Sequence, residues 1–266
     1  MPSLRKMDAS SLFKSEPNPS MFGNPANVKV CACDFRWDQP NWLTSRFHFS
    51  FAEWGEGRPS YGTLRVLNDD RVQPSRGFGT HGHGNMEICT YIVEGEQPAS
   101  LHTGNPKPFH RYQLHFFTTP ISYTPRHAAH SNTRTACAPP PPPMWIMPRT
   151  RGIKPTYGST TTEPEARRNQ WAHLVTDNAK GGAPVTIDQD VNIYVSEIDP
   201  KTALPFALRE GRQLYFVCLE GTVTIGHKDG QAMLDTHEAA EVSGEQNLEV
   251  SAQERGAHCL IVEMAA

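Results

Sequence analysis

The chain has 266 residues, 37% of them apolar and 20% charged, and 25 basic against 28 acidic side chains leave a net charge of −3. That length suits one large domain or two modest ones with real cores, and the charge balance excludes a nucleic-acid or membrane-surface binder held by bulk electrostatics. No run reaches the ~18 consecutive apolar residues of a membrane span, and Met1 to Asp8 lack the apolar core of a secretory signal. The chain therefore reads as soluble and intracellular. Its six cysteines, at 31, 33, 89, 137, 218 and 259, are scattered rather than arranged as a disulfide framework. Cys31 and Cys33 have no second pair downstream to complete a zinc site, and read as two thiols near the start of a strand.

Residues 1–27 are polar, rich in Ser, Pro and Asn, and without period; they read as a flexible N-terminal arm. Short β-branched and aromatic runs follow, broken by Gly, Pro and Asn-Asp turns. In chain order they are Arg46–Phe51, Gly62–Leu67, Glu87–Val93, Val191–Val195, Gln213–Leu219, Thr222–Ile225 and His258–Val262. Asn68-Asp69-Asp70-Arg71 reads as a turn with locally bonded Asx side chains. Many short strands and few helix signals predict an all-β sandwich or barrel. A weak repeat points to two of them: Tyr91-Ile92-Val93-Glu94-Gly95 is echoed by Val217-Cys218-Leu219-Glu220-Gly221, 126 residues on. In each copy the Glu-Gly pair is expected to form a tight turn.

Residues 97–143 stand apart. They hold five histidines (102, 110, 115, 127 and 130), lack strand period and end in five consecutive prolines, Pro139 to Pro143, which should adopt polyproline II as a stiff linker. They are expected to be the least regular part of the first half. Arg149, Arg151 and Lys154 form a small basic cluster expected to pack between the halves.

The chemistry sits in Gly77-Phe78-Gly79-Thr80-His81-Gly82-His83-Gly84-Asn85-Met86-Glu87. On a strand, residues i and i+2 face the same way, so His81 and His83 project together. Two imidazoles side by side suit a divalent first-row metal, and Glu87 shares their parity if no bulge intervenes. The glycines let the backbone turn sharply at a barrel mouth.

These residues, with Arg46–Ala52 and Leu64–Val72 before them, resemble the pirin family of the cupin superfamily; Met144–Tyr157 is similar to the segment that joins the two pirin barrels. The resemblance implies an all-β bicupin, two tandem double-stranded β-helix (jelly-roll) barrels. It divides the chain into the arm (1–27), an N-terminal cupin barrel with the metal site (28–143), an inter-barrel linker (144–184) and a metal-free C-terminal barrel (185–266). It further implies one Fe(2+) per chain, held by His81 and His83 and then by a His and a Glu from a downstream His-Ser-Glu. Here the second pair departs from the family: His130-Ser131-Asn132 has Asn for Glu, while Arg126-His127-Ala128-Ala129-His130 aligns by spacing and puts Ala129 there. The candidate ligands are therefore His81, His83, His127 and His130. The family's carboxylate is absent from both alignments, and Glu87 is a substitute from the general cupin pattern.

Spacing from the second Glu-Gly places Ala207, Arg209 and Gln213 where the first half has His81, His83 and Glu87, so the C-terminal barrel is expected to carry no metal. Its His227, His237 and His258 read as surface or packing residues. The family implies either a non-haem iron dioxygenase of the quercetinase type acting on a flavonol-like aromatic, or an iron-dependent transcription cofactor with a nuclear protein partner. A third alternative is a metal-free binding scaffold whose site has decayed. No separate organic cofactor and no direct nucleic-acid or membrane contact is expected.

Overall fold

The computed structural model describes residues 2–27, 40–52, 54–73, 76, 78, 84–94, 96–98, 108–118, 143–227, 230–244 and 246–266. Within these the chain is nearly all strand, with one four-residue helix, α1 (Pro164–Arg167), as its α content. It divides into two compact units, one of 13–60 and 64–159, the other of 1–12, 61–63 and 160–266. Strands β1 (Ser3–Met7), β2 (Phe13–Ser15), β3 (Leu43–Phe47), β4 (Leu64–Val72), β5 (Glu87–Tyr91), β6 (Glu96–Pro98), β7 (Pro108–His110), β8 (Gln113–Thr118) and β9 (Pro143–Ile146) come first. Then follow β10 (Tyr157–Thr161), β11 (Ala172–Asp177), β12 (Val185–Ile187), β13 (Val191–Ile198), β14 (Ala203–Leu208), β15 (Arg212–His227), β16 (Gly230–Asp235), β17 (Ala239–Ser243) and β18 (Gln246–Ala265).

The N-terminal unit is built on a seven-stranded sheet in the order β10-β8-β5-β9-β4-β3-β2, beside a small β6-β7 ribbon. Leu64, Val66, Leu67, Ile88, Cys89, Met144 and Ile146 are all nearly inaccessible, and the consecutive pairs Val66-Leu67 and Ile88-Cys89 show that β4 and β5 are buried on both faces. The C-terminal unit has a nine-stranded sheet with the path β1-β17-β15-β18-β13-β11-β12, β14 adding to β18 and β16 to β15. Its core gathers Leu214, Phe216, Val242, Val250 and Ile261 from three strands, β15, β17 and β18.

Several expectations need correction. The arm is ordered in two pieces. β1 pairs with β17 from Ser3↔Ser243 to Met7↔Ala239, and Lys6 reaches the Glu238 carboxylate at 2.8 Å. Residues 13–27 belong to the N-terminal unit, where β2 pairs with β3 and Asn18 caps the turn Pro19–Phe22. Polar composition misleads here because an edge strand needs only backbone bonds and one apolar side chain, such as Leu4 against the core. Nor is 144–184 a linker: Met144 and Ile146 lie fully buried in β9, while β11 belongs to the other unit.

Asn68-Asp69-Asp70-Arg71 is not a turn but the second half of β4, with Asn68 and Asp70 buried. The register sets Ser45 opposite Asp70, and the Ser45 hydroxyl donates to its carboxylate. Burial drives the Asp70 pKa up to about 7, against the pull of that hydrogen bond. Glu220-Gly221 likewise forms no turn. It sits in a doubly bulged stretch of β15, with Gly221 at φ +82° and a Cβ there placed 2.1 Å from the Gly256 carbonyl. Within 97–143, Gln113–Thr118 is a regular buried strand, whereas most of that stretch lies outside the described residues. The cluster Arg149, Arg151 and Lys154 is exposed rather than packed, keeping its charges hydrated.

Candidate metal centre

All four histidines proposed as ligands, His81, His83, His127 and His130, lie outside the described residues, as do Cys31 and Cys33. What the structure describes is the approach to the His81–His83 pair and the strand that follows it. The approach is anchored by an aromatic trio. Phe78 meets Phe22 edge-on at 5.4 Å between ring centroids and Trp42 at 5.7 Å, and Trp42 is fully buried. Arg76 ties the same stretch to residues 25–26, donating to the carbonyls of Pro25 and, at 3.1 Å, Ala26. The sequence reading missed these anchors, because Phe22 lay in a segment with no period to mark it. Past the histidines, Asn85 adopts φ +51° and its side-chain oxygen accepts from the Gly152 N–H at 3.0 Å, which turns the chain into β5.

Glu87 opens that strand and is 0% exposed. Antiparallel pairing sets it opposite Thr118 on β8 and Ile146 on β9, so the three share one face. Cys89 shares that face with Phe116 and Met144, and Tyr91 shares it with Leu114; all are buried. Burial, and then the nearby charge of Glu87, push the Cys89 thiol up, so it stays protonated. A carboxylate in apolar surroundings costs several kcal/mol, roughly, unless a cation or donors face it. The arrangement is a hard oxygen donor on the Cys89–Tyr91 face of the strand that His83 precedes by four residues.

His115 stands on the other face of β8, opposite Thr90. Its Nδ1 lies 3.1 Å from the Tyr157 hydroxyl, and burial lowers its pKa to about 4, so the ring is neutral near pH 7. Of the five histidines in 97–143, this is the one whose side chain is described, and pairing turns it away from Glu87.

Residues 166–264 match the family model of the quercetinase C-terminal cupin domain. A protein of Escherichia coli K12 named quercetin 2,3-dioxygenase is 28% identical over 220 residues, covering 79% of this chain and 90% of its own length. A pirin-like protein of Caulobacter vibrioides is 25% identical over 229 residues, 84% of this chain and 93% of that one. The bacterial pirin YhhW of Escherichia coli, solved with nickel(II), superposes with a TM-score of 0.76 at 21% identity over 99% of both chains. The chain is similar to pirins along most of its length. Its fold is accordingly the expected all-β bicupin, with tandem cupin barrels.

Proposed function

We infer that this protein is a quercetinase-type dioxygenase that holds one divalent metal, Fe(2+), in its N-terminal barrel and acts on a flavonol-like aromatic. The name of the Escherichia coli relative supports the reaction class, and the nickel(II) bound to YhhW supports a metal-binding fold. The ligands assigned here are His81 and His83, a third imidazole from His127 or His130, and Glu87 as the carboxylate. The observation that carries this reading is the complete burial of Glu87 on the Cys89–Tyr91 face of β5. The donor set fits a first-row divalent ion, with imidazoles for its borderline character and one carboxylate to offset part of its charge. Such an ion, when bound, acts as a Lewis acid toward a substrate oxygen and as a partner for dioxygen.

The protein's own residues supply the rest. Met144, Ile146, Cys89 and Phe116 form apolar walls around the carboxylate, exclude water and leave an aromatic substrate favoured over a polar one. Asn85 and the Phe22–Trp42–Phe78 trio fix both ends of the Gly-rich segment that bears His81 and His83. Reconstitution of the purified chain with Fe(2+) under nitrogen, followed by metal analysis and oxygen uptake with quercetin, tests this. One tightly held iron and flavonol-dependent oxygen consumption are expected. A chain that retains no metal would favour the metal-free scaffold instead.

A further inference from the structure

The C-terminal unit holds two cysteines that the metal reading does not use. Cys218 on β15 and Cys259 on β18 are directly opposed in the antiparallel register, and both are 0% exposed. Opposed side chains on neighbouring antiparallel strands hold their Cβ atoms about 4.5–5.5 Å apart, and a disulfide needs about 3.5–4.5 Å. A small local adjustment therefore closes the gap. The backbone beside Cys218 is where such an adjustment is easiest, because β15 carries one bulge between Cys218 and Glu220 and another between Gly221 and Val223. The Cys218 thiol donates into that bulge, to the carbonyls of Glu220 at 3.6 Å and Gly221 at 3.5 Å.

The same bulge forms the floor of a cleft of about 500 Å³, lined among others by Glu220, Gly221, Gly256, Ala257 and His258. A Cβ on Gly221 would lie 2.1 Å from the Gly256 carbonyl oxygen and one on Gly256 2.7 Å from the Ile198 carbonyl oxygen, so neither position accepts a side chain. Glu220 and Gly221, which line the cleft, are also the residues whose carbonyls accept from the Cys218 thiol.

We propose that Cys218 and Cys259 are an oxidisable dithiol that closes to a cross-strand disulfide, with the cleft beside His258 as the entry for hydrogen peroxide. In the first step the Cys218 sulfur attacks one peroxide oxygen and the O–O bond breaks. The departing hydroxide takes the thiol proton and leaves as water, and Cys218 becomes a sulfenic acid. In the second step the Cys259 sulfur attacks the Cys218 sulfur and the S–O bond breaks, and the hydroxide leaves as water with the Cys259 proton. Two thiols lose two electrons in all, and one peroxide becomes two waters. Burial, and then the neighbouring thiol, raise the Cys259 pKa well above the usual thiol range, so the reaction is slow and gated by opening at the bulge.

The test uses the full chain, folded and treated with hydrogen peroxide, then alkylated in denaturant and digested with trypsin. Cleavage after Arg212 and Arg255 puts the two cysteines on separate peptides. The expected product is those two peptides joined, with the chain 2 Da lighter by the loss of two hydrogens and its circular dichroism unchanged. Two alkylated peptides from a chain that has kept its fold, or pairing of either cysteine with Cys31, Cys33, Cys89 or Cys137, would overturn the proposal. A Cys259→Ser variant supplies a second arm. Its Cys218 should accumulate as a sulfenic acid trapped by dimedone, and an untrapped, still reduced Cys218 in the folded variant counts against the cleft as an entry.

Discussion

In the N-terminal unit a fully buried carboxylate, Glu87, stands on an inner strand four residues after the His81–His83 pair. At the matching distance from its own Glu-Gly pair, the C-terminal unit has Gln213, whose amide donates to the Ala265 carbonyl at 2.8 Å. The first is an acid held away from water, and the second is a neutral amide bonded to the end of the neighbouring strand. Both units bury polar groups, the first His48, Asn68, Asp70, Glu87 and His115, the second Arg167, Asp177, Ser196 and His258. What differs at the matched position is the chemistry of the side chain, an acid in the first unit and an amide in the second.

The sharpest way to break this comparison is to remove the metal-facing groups on each side. Replacing His81 and His83 together by Ala should abolish iron uptake with the fold intact, whereas Gln213→Ala should leave metal content unchanged; plasma emission analysis of both variants decides it. Retention of one iron by the double variant would overturn the assignment. Glu87→Gln should weaken iron binding by roughly 10–100-fold or more, read as the chelator concentration that strips half the metal. Asn132→Glu or Ala129→Glu should strengthen it, and whichever does so identifies the true alignment of the second ligand pair.

Packing changes should separate stability from metal binding. Phe216→Ala, in the C-terminal core, and Trp42→Ala, in the aromatic trio, should each cost about 3–5 kcal/mol in chemical denaturation. Phe216→Ala alone should preserve iron stoichiometry, because Trp42 is one of the groups that hold Phe78 and hence the approach to His81.

The smallest effect is on the pH profile. Asp70 titrates near 7 in the fold against 3.8 for the ordinary carboxylate, so between those values the folded state keeps a proton that the unfolded chain has lost. Its contribution to stability therefore falls as pH rises through that window and levels off above 7. His115 acts in the opposite sense. The unfolded chain takes up a proton below 6.5, the folded ring only near 4, and stability is lost as pH falls between them. Denaturation midpoints of Asp70→Asn across this range should lose the fall toward pH 7 and keep the loss toward acid, to which His115 and the carboxylates of Glu16 and Asp190 contribute. A profile unchanged from the parent would show that Asp70 is not buried as described.

Strand content, the duplication and the His-x-His signature were legible in the sequence because each is local: alternation, a five-residue echo and a two-residue spacing survive without knowledge of the partners. Residues 191–195, 213–219 and 258–262 form strands where their β-branched runs predicted them. Where the reading failed, the deciding partner was distant. Asp70 reads as a turn residue until Ser45 faces it across β3, and Glu220-Gly221 reads as a hairpin turn until Gly256 lies against it. The polar segment 3–7 reads as loose until β17 offers it a ladder. Residue pattern alone pointed to a two-barrel β protein and to His81 and His83 as a pair of imidazoles two residues apart. Only the tertiary structure decided that Glu87 is fully buried, that Phe22 and Arg76 anchor the Gly-rich approach, and that Cys218 faces Cys259. Those facts arise from contacts between strands far apart in the chain, and no local propensity encodes them.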